Sequence, residues 1–433
     1  MPIPARLRGT QGHESAAIPA RVPHRWSRDF RRVGILAVTP RPAAHRLDTR
    51  TGGEPAAGLT KVAGARSGVV IGSRFLARCL QEAADLRILI VTVRVPFVHG
   101  GAEVLAEDLR RVLIETGHQA EIVAIPFKSY PPERILDHML ACRLLDLGKT
   151  AGTPVDRVIG LRFPAYLIPH PRKVIWMVHQ HRQAYDLWQH PLNDLHTYAN
   201  GHDVRAAIHA ADMKLLPQSR GLFAISRNVS LRLRTFCGLN AIPLYPPLRD
   251  AGLFYTRPAE DFLYFPSRIN PLKRQNLVVE ALVQTRSPVH ICFSGAVEEP
   301  GFERKCARLA RKDGIESRVH WLGVVSEQEK RDLYARSLGV IFPPLDEDYG
   351  YITLEAMLAQ KPVITCTDSG GPLEFVMHHQ TGIVAEPTPE ALAAAMDILW
   401  KDRERARRWG VAGRLRYDDL HIHWGNVLEK LLA

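Results

Sequence analysis

From residue 87 onward, short apolar runs alternate with longer stretches whose apolar positions recur every three or four residues. The runs RILIVTV (87–93), QAEIVAI (119–125), RVIGL (157–161), KVIWMVH (173–179) and GLFAIS (221–226) are rich in β-branched residues and predict strands. GGAEVLAEDLRRVLIETGH, between the first two, places Val104, Leu105, Leu109, Val112 and Leu113 on one helical face, with Gly117 at its end. Strands alternating with helices predict a parallel sheet covered on both faces.

The pattern breaks at LYPPLRDAGLFYTRPAED (244–261), where Pro246, Pro247 and Pro258 mark a linker between domains. A second alternating series follows, with strands FLYFPSRI, VHICFSG, RVHWLGV, LGVIFPP, KPVITC and TGIVAE. In SEQEKRDLYARS, Ser326 and Glu329 have capping-box spacing and predict a helix start. HIHWGNVLEKLLA predicts a short amphipathic helix at the end. The fold class expected is α/β: two tandem, doubly wound Rossmann-like domains, residues 86–250 and 251–405, facing across a cleft. Residues 406–433 form the segment after the second domain. Ligands of such sheets bind beyond the carboxyl ends of the strands, so the cleft is the default site.

Residues 1–85 have no sustained periodicity and read as a disordered basic extension. Their acid-poor, Arg-rich composition also mimics a transit peptide, without a clear amphipathic helix. They carry 14 Lys+Arg against 6 Asp+Glu, so +8 of the net charge of +12 lies there. The remainder is weakly basic, which suits a phosphate-bearing partner or an anionic membrane surface as well as nucleic acid. No apolar run reaches the roughly 18 residues of a membrane span. The six cysteines are scattered with no CxxC pair, which argues for a reducing cytoplasm and against a disulfide framework or zinc site.

The chemistry-bearing segments sit where strands end. In EDYGYITLE (347–355), Glu347 and Glu355 bracket Gly350, and a helix starts at about Tyr351. A helix start attracts phosphate, and Gly350 lets backbone approach a ligand closely. An ionised carboxylate only accepts hydrogen bonds, so two acids beside an anion site suit sugar hydroxyls at either end of a diphosphate. Two surface helix acids are an equally good account of the spacing alone. In SRINPLKRQN, Arg268 and Lys273 could grip a diphosphate, one as a fork and one as a point charge, or could be a solvated basic turn. Ser294 and Gly295, ending a strand in FSGAVEE, also permit a close backbone approach.

In the first domain, Gly100 and Gly101 of HGGAE allow a loop to pass near a phosphate or sugar, or form a plain tight turn. His179 and His181 share a strand face, but no third metal ligand is apparent, and a polar contact from His179 to a sugar hydroxyl is the better reading. Asp346, Glu347 and Asp348 invite a metal-bound diphosphate, yet Arg268 and Lys273 already supply the cations, so no metal is expected.

Taken together and in this order, these segments resemble retaining glycosyltransferases of the GT-B, two-Rossmann-domain architecture, specifically glycosyltransferase family 4. The resemblance spans residues 87–433 and rests on GGAE, the Arg-x4-Lys of SRINPLKRQN, the Glu-x7-Glu of EDYGYITLE and the glycine-rich SGGPLEFV (369–376). It implies a nucleotide-sugar donor bound mainly by the second domain, and C-terminal helices, residues 406–433, that pack back toward the first domain. Arg268 and Lys273 would hold the diphosphate and Glu355 the ribose hydroxyls. Glu347, with backbone around Tyr349 and Gly350, would face the donor sugar, and His179 would lie near its reactive end. Base contacts are expected around Trp321, Leu322 and Gly323. The sequence departs from the family in Tyr349-Gly350 for Phe-Gly and in YPPL for a Pro-Asn-Gly linker turn.

The expectation is a metal-independent, retaining hexosyltransferase without a cofactor, acting on a glycan or glycolipid acceptor in cell-envelope synthesis. It would be cytoplasmic or peripheral on the inner face of the membrane, with no nucleic-acid partner. The rivals are a nucleotide-sugar epimerase or a phosphorylase of the same architecture, a non-catalytic nucleotide-sugar binder, and a nucleic-acid binder acting through the basic tail.

Overall fold

The computed structural model describes residues 85–97 and 100–433. The reading of residues 1–85 as a disordered extension lies outside the described residues, Asp85 excepted. Six parallel strands, β1 (Arg87–Arg94), β2 (Gln119–Pro126), β3 (Arg157–Arg162), β4 (Lys173–His179), β5 (Gly221–Ala224) and β6 (Ile242–Pro243), form a sheet in the order β2-β1-β3-β4-β5-β6. The central strands β1, β3 and β4 are buried almost throughout, which is why they read as continuous apolar runs rather than alternating ones. Edge strand β2 is mostly exposed or half-buried.

Helices α1 (Gly101–Glu115), α2 (Glu133–Leu144), α3 (Gly201–Leu215) and α4 (Arg227–Cys237) accompany this sheet. α1 buries Leu105, Leu109, Val112 and Leu113, while Val104 is only partly covered. Gly117, just past the helix, has φ +91°, a conformation that glycine adopts without steric cost.

The second sheet is also parallel: β7 (Leu263–Pro266), β8 (Ile291–Ser294), β9 (Val319–Trp321), β10 (Gly339–Ile341), β11 (Val363–Cys366) and β12 (Gly382–Ala385), in the order β9-β8-β7-β10-β11-β12. Its helices are α5 (Gln275–Gln284), α6 (Pro300–Lys312), α7 (Glu327–Arg336), α8 (Tyr351–Leu358) and α9 (Pro389–Lys401). Ser326 Oγ accepts from the Glu329 amide at 3.1 Å and starts α7. The strand order reverses between β7 and β10. The loops leaving these two neighbours therefore diverge and leave a crevice, where ligands of open α/β sheets bind. Those loops carry Arg268 with Lys273, and Glu347 with Gly350.

The apolar core of the first sheet continues into the second half through Tyr349, Leu354, Met357, Leu358 and Phe375. The linker is itself buried at Pro246, Pro247 and Leu248. Trp176 of β4 donates its indole N–H to the Leu244 carbonyl (2.8 Å), and the Tyr349 hydroxyl donates to the Pro246 carbonyl (2.9 Å). Both halves therefore satisfy the linker's polar backbone, as buried carbonyls require. Two helices complete the chain, α10 (Arg403–Asp419) and α11 (Trp424–Leu432). α10 lies close against the end of α8, since a Cβ on Gly410 would meet the Gln360 carbonyl oxygen at 2.0 Å. α11 docks on the first sheet. Arg157 of β3 donates to the carbonyls of Leu431, Leu432 and Ala433 at 2.8, 3.0 and 2.9 Å, supplying the partners that the last turn of a helix lacks.

Candidate active site

At the second-domain crevice, Asn270 caps the short turn Pro271–Lys273, its side-chain oxygen accepting from the Lys273 amide at 3.2 Å. The turn carries Lys273 inward, where it is almost wholly buried. Its ammonium donates to the Glu347 carboxylate in a short hydrogen bond. A cation of one loop and an acid of the other are thus direct partners. Arg268 is half-exposed and pairs with Glu298, which also accepts from Asn270 Nδ2 at 2.5 Å. Both cations stand at the carboxyl edge of the sheet with their charge met by carboxylates. A diphosphate arriving there would compete with Glu298 and Glu347 for the same donors.

Glu355 sits one turn into α8, largely buried. One oxygen accepts from Lys330 Nζ (3.0 Å) and the other from the Tyr334 hydroxyl (2.7 Å). Burial disfavours the Lys330 charge, but Glu355 and Glu327 outweigh it and hold its pKa above the ordinary lysine value. A carboxylate offers about four lone-pair sites. Two are used here, which leaves capacity for hydroxyl donors on the cleft side. Lys330 and Tyr334 come from α7, a separate element whose helical pattern gives no sign of this contact.

Gly350 precedes α8 with φ +87°, and a Cβ there would meet Pro372 Cγ at 2.9 Å. The glycine is therefore demanded by the protein's own backbone and by Pro372. Tyr349 is buried, with its ring between Tyr245, Tyr351 and Phe375, so only its backbone is available to a ligand. Gly295 has φ +143°, and a Cβ on it would lie 2.2 Å from the Ser267 carbonyl. The close approach it permits is between the loops that leave β7 and β8. The Ser294 hydroxyl is buried and shares a 2.6 Å hydrogen bond with the Tyr264 hydroxyl. Leu322 is half-buried past β9, anchored by its amide on the Phe293 carbonyl (2.9 Å). The adjacent Trp321 stacks on Phe293 at 4.4 Å.

The first domain presents its own helix start to this region. Glu103 accepts from the Gly100 amide (2.9 Å) and from Arg162 (2.7 Å), which orders the glycine loop at the start of α1. A Cβ on Gly101 would lie 3.4 Å from the Tyr351 ring, so the first turns of α1 and α8 face each other across the cleft. His179 ends β4, and its Nδ1 is 2.6 Å from the Gln180 carbonyl. Burial lowers its pKa and Asp348 only partly offsets this, so the ring is neutral at pH 7. Since a carbonyl only accepts, Nδ1 carries the proton and the Nε2 lone pair is left to accept one. His181 points elsewhere, its ring among Phe127 and Phe163. Burial lowers its pKa to about 4.

The acids around Glu347 turn out to have another role. Asp346 and Asp348 pair with Arg232 of α4, and Arg182 lies 3.5 and 3.8 Å from them. Glu374, within SGGPLEFV, accepts from the amides of Arg227 and Asn228 at the start of α4 (3.0 and 2.8 Å) and from the Tyr245 hydroxyl (2.7 Å). A carboxylate from one half therefore caps a helix of the other, the arrangement the helix dipole favours. Nothing in the spacing of the sequence pairs these residues, because they lie more than 110 positions apart.

Residues 256–416 match the family model described as glycosyl transferases group 1. Alpha-1,3/1,6-mannosyltransferase ALG2 of Homo sapiens is 30% identical over 163 residues, 35% of this chain and 39% of that protein. The GDP-mannose-dependent alpha-(1-6)-phosphatidylinositol monomannoside mannosyltransferase of Mycobacterium tuberculosis is 32% identical over 173 residues, 38% of this chain and 44% of that protein. The chain spans half or less of the curated relatives it matches. Over the whole fold it is similar to Anabaena HepE, solved in complex with UDP and glucose (TM-score 0.59, 18% identity, 80% of this chain and 99% of that one). It is also similar to sucrose-phosphate synthase from Thermosynechococcus elongatus (TM-score 0.64, 16% identity, 79% and 97%). The architecture is that of the GT-B fold.

Proposed function

We propose that this chain is a metal-independent, retaining glycosyltransferase of family 4 that moves a hexose from a nucleoside-diphosphate sugar to an acceptor hydroxyl in glycan or glycolipid synthesis. The observation that carries the reading is the pairing of Lys273 with Glu347 between the two loops of the crevice, with Arg268 on the loop of Lys273 and Glu355 on the helix that follows Glu347, all inside the segment that matches the glycosyl transferases group 1 model. Similarity to mannosyltransferases, one of them GDP-mannose-dependent, makes GDP-mannose the first donor to test.

In this reading Arg268 and Lys273 take the diphosphate, exchanging carboxylate partners for phosphate oxygens. Glu355 accepts from ribose hydroxyls and Glu347 from hydroxyls of the donor sugar, with the backbone at Tyr349 and Gly350 beside it. Leu322 and its neighbours contact the base. The start of α1 at Gly100 and Gly101 closes the sugar end of the cleft, where the Nε2 lone pair of His179 accepts from a hydroxyl.

As the glycosidic bond breaks, negative charge grows on the leaving diphosphate oxygen. Once Lys273 has taken the diphosphate, it and the amides at the start of α8 are already in place for that charge, so the bond-breaking step itself needs no further reorganisation. The cations supply what a metal would otherwise supply. The acceptor hydroxyl attacks on the face the diphosphate leaves, and its proton passes to that departing group. Titration of the protein with GDP-mannose and UDP-glucose, then transfer assays with the donor that binds, test the reading. A folded protein that binds neither the sugar nucleotides nor their nucleoside diphosphates would refute it.

A further inference from the structure

We propose that Arg232, in the first half, is a positioning residue for Glu347, in the second half, so that the sugar end of the donor site is ordered only when the halves are in contact. The inference rests on the proposed donor role of Glu347, but its physical core does not.

Three consecutive acids occupy the loop after β10, and they divide their allegiance. The middle one, Glu347, faces Lys273 within its own half. The outer two face the other half. Arg232 donates from Nε to Asp346 Oδ2 (3.1 Å), from Nη2 to the Asp346 carbonyl (2.6 Å), and from Nη1 to Asp348 in a short bond. One guanidinium therefore spans both sides of Glu347 and holds a backbone carbonyl between them. Only a planar fork has that reach.

The loop needs holding. Asp346 has φ +43°, a conformation that costs a residue with a Cβ free energy and persists where the surroundings impose it. Asn228 Nδ2 adds a bond to Asp346 Oδ1 at 2.7 Å, and Ser226 Oγ donates to the Asp348 carbonyl at 2.5 Å. All three donors belong to the first half. Burial opposes the charge on Asp348, yet Arg232 and Arg182 overcome it and hold the carboxyl well below the usual range. The pairing thus favours the ionised form of an acid that is largely covered. The second half contributes backbone bonds, from the Asp346 and Glu347 amides to the Asp368 and Ser369 carbonyls, each 2.9 Å. If those alone sufficed, Arg232 would be an ordinary interface residue.

The test compares Arg232→Gln, Arg232→Lys, Glu347→Gln and the double Arg232→Gln/Glu347→Gln variant in the full chain. Binding is measured for GDP-mannose and UDP-glucose and for GDP and UDP, and hydrogen exchange for the 345–350 amides. Arg232→Gln should weaken binding of the sugar nucleotide about ten-fold, as should Glu347→Gln; the nucleoside diphosphate should change less than about two-fold in Arg232→Gln and should not weaken in Glu347→Gln, where the competitor for Lys273 loses its charge. The double variant should be no weaker than Glu347→Gln alone, since effects through one group do not add. Arg232→Lys should recover part. The Asp346 and Glu347 amides should exchange faster in Arg232→Gln.

Equal losses for sugar nucleotide and diphosphate, additive effects, or unchanged exchange of those amides would each overturn the inference. If Arg232→Gln fails to fold, Arg232→Gln/Asp348→Asn removes both charges of that pair and is read in the same way. A wild-type protein that binds none of the four probes would sink the functional reading, and the exchange measurement would still decide this one.

Discussion

Replacing Glu355 with Gln separates a donor-site residue from a structural one. The carboxylate is held by Lys330 at 3.0 Å and Tyr334 at 2.7 Å. Glutamine can keep both contacts if its carbonyl faces Lys330 and its amide donates to the Tyr334 oxygen. What changes is charge: the Tyr334 contact, worth about 1.5–3 kcal/mol to an ionised group, becomes one worth about 0.5–1.5, while the Lys330 contact loses its opposite charge but keeps that of the ammonium. Lys330 retains some company from Glu327 at 2.8 Å, which limits the cost. The expected loss of stability is therefore roughly 1–2 kcal/mol, a small fall in melting temperature.

Donor affinity should drop more. Ribose hydroxyls would lose a charged acceptor for a neutral one, and the amide, turned to Tyr334, offers them no lone pair. A ten- to hundred-fold weakening, about 1.4–2.7 kcal/mol, is expected. The assay is titration of GDP-mannose, or of whichever nucleotide sugar binds wild type, beside thermal unfolding. Unchanged donor affinity with a large fall in melting temperature would refute the reasoning and make Glu355 a clamp between α7 and α8.

Lys273→Ala should lower turnover on the order of a hundred- to a thousand-fold while weakening donor binding less, because the leaving oxygen gains charge in the transition state. Equal losses in kinetics and titration would reduce Lys273 to a holder of the donor. Transfer should survive EDTA at wild-type rate. Activity lost to the chelator and restored by manganese or magnesium would overturn the assignment of the leaving-group charge to Arg268 and Lys273.

The pH dependence of stability should change in Asp212→Asn. Burial raises the Asp212 pKa to about 6, only partly offset by bonds from Tyr185, Tyr166 and Gln180. The native state then holds this proton more tightly than the unfolded state does. The contribution is fully present at about pH 4 and below, and is lost as pH rises through about 6, some 3 kcal/mol in all. Wild type minus Asp212→Asn, followed by denaturant unfolding from pH 4 to 7, should show that slope, and a flat difference would contradict it.

The alternation of strands and helices was legible because a parallel sheet buries both faces of its strands. β3 and β4 therefore appear as unbroken apolar runs, and α1 announces itself by its 3.6-residue stripe. The two-sheet architecture followed from the break at 244–261, and the fold bears it out. Local chemistry was legible where a single turn imposes it, as in the Ser326 cap of α7, whereas the left-handed backbone that demands Gly350 was not read from the sequence.

Partnerships between distant elements were not legible. Which side chain meets Glu355, that Lys273 pairs with Glu347 rather than standing free, that Ser294 turns to Tyr264, and that Asp346 and Asp348 belong to Arg232 are facts of tertiary packing. Hydrophobic periodicity reports which face of an element is covered, and turn chemistry reports the backbone over four or five residues. Neither carries information about what lies opposite. That is decided when two sheets, a buried linker and a returning C-terminal helix bring charges more than a hundred residues apart within hydrogen-bond reach, where the low dielectric makes each pairing count.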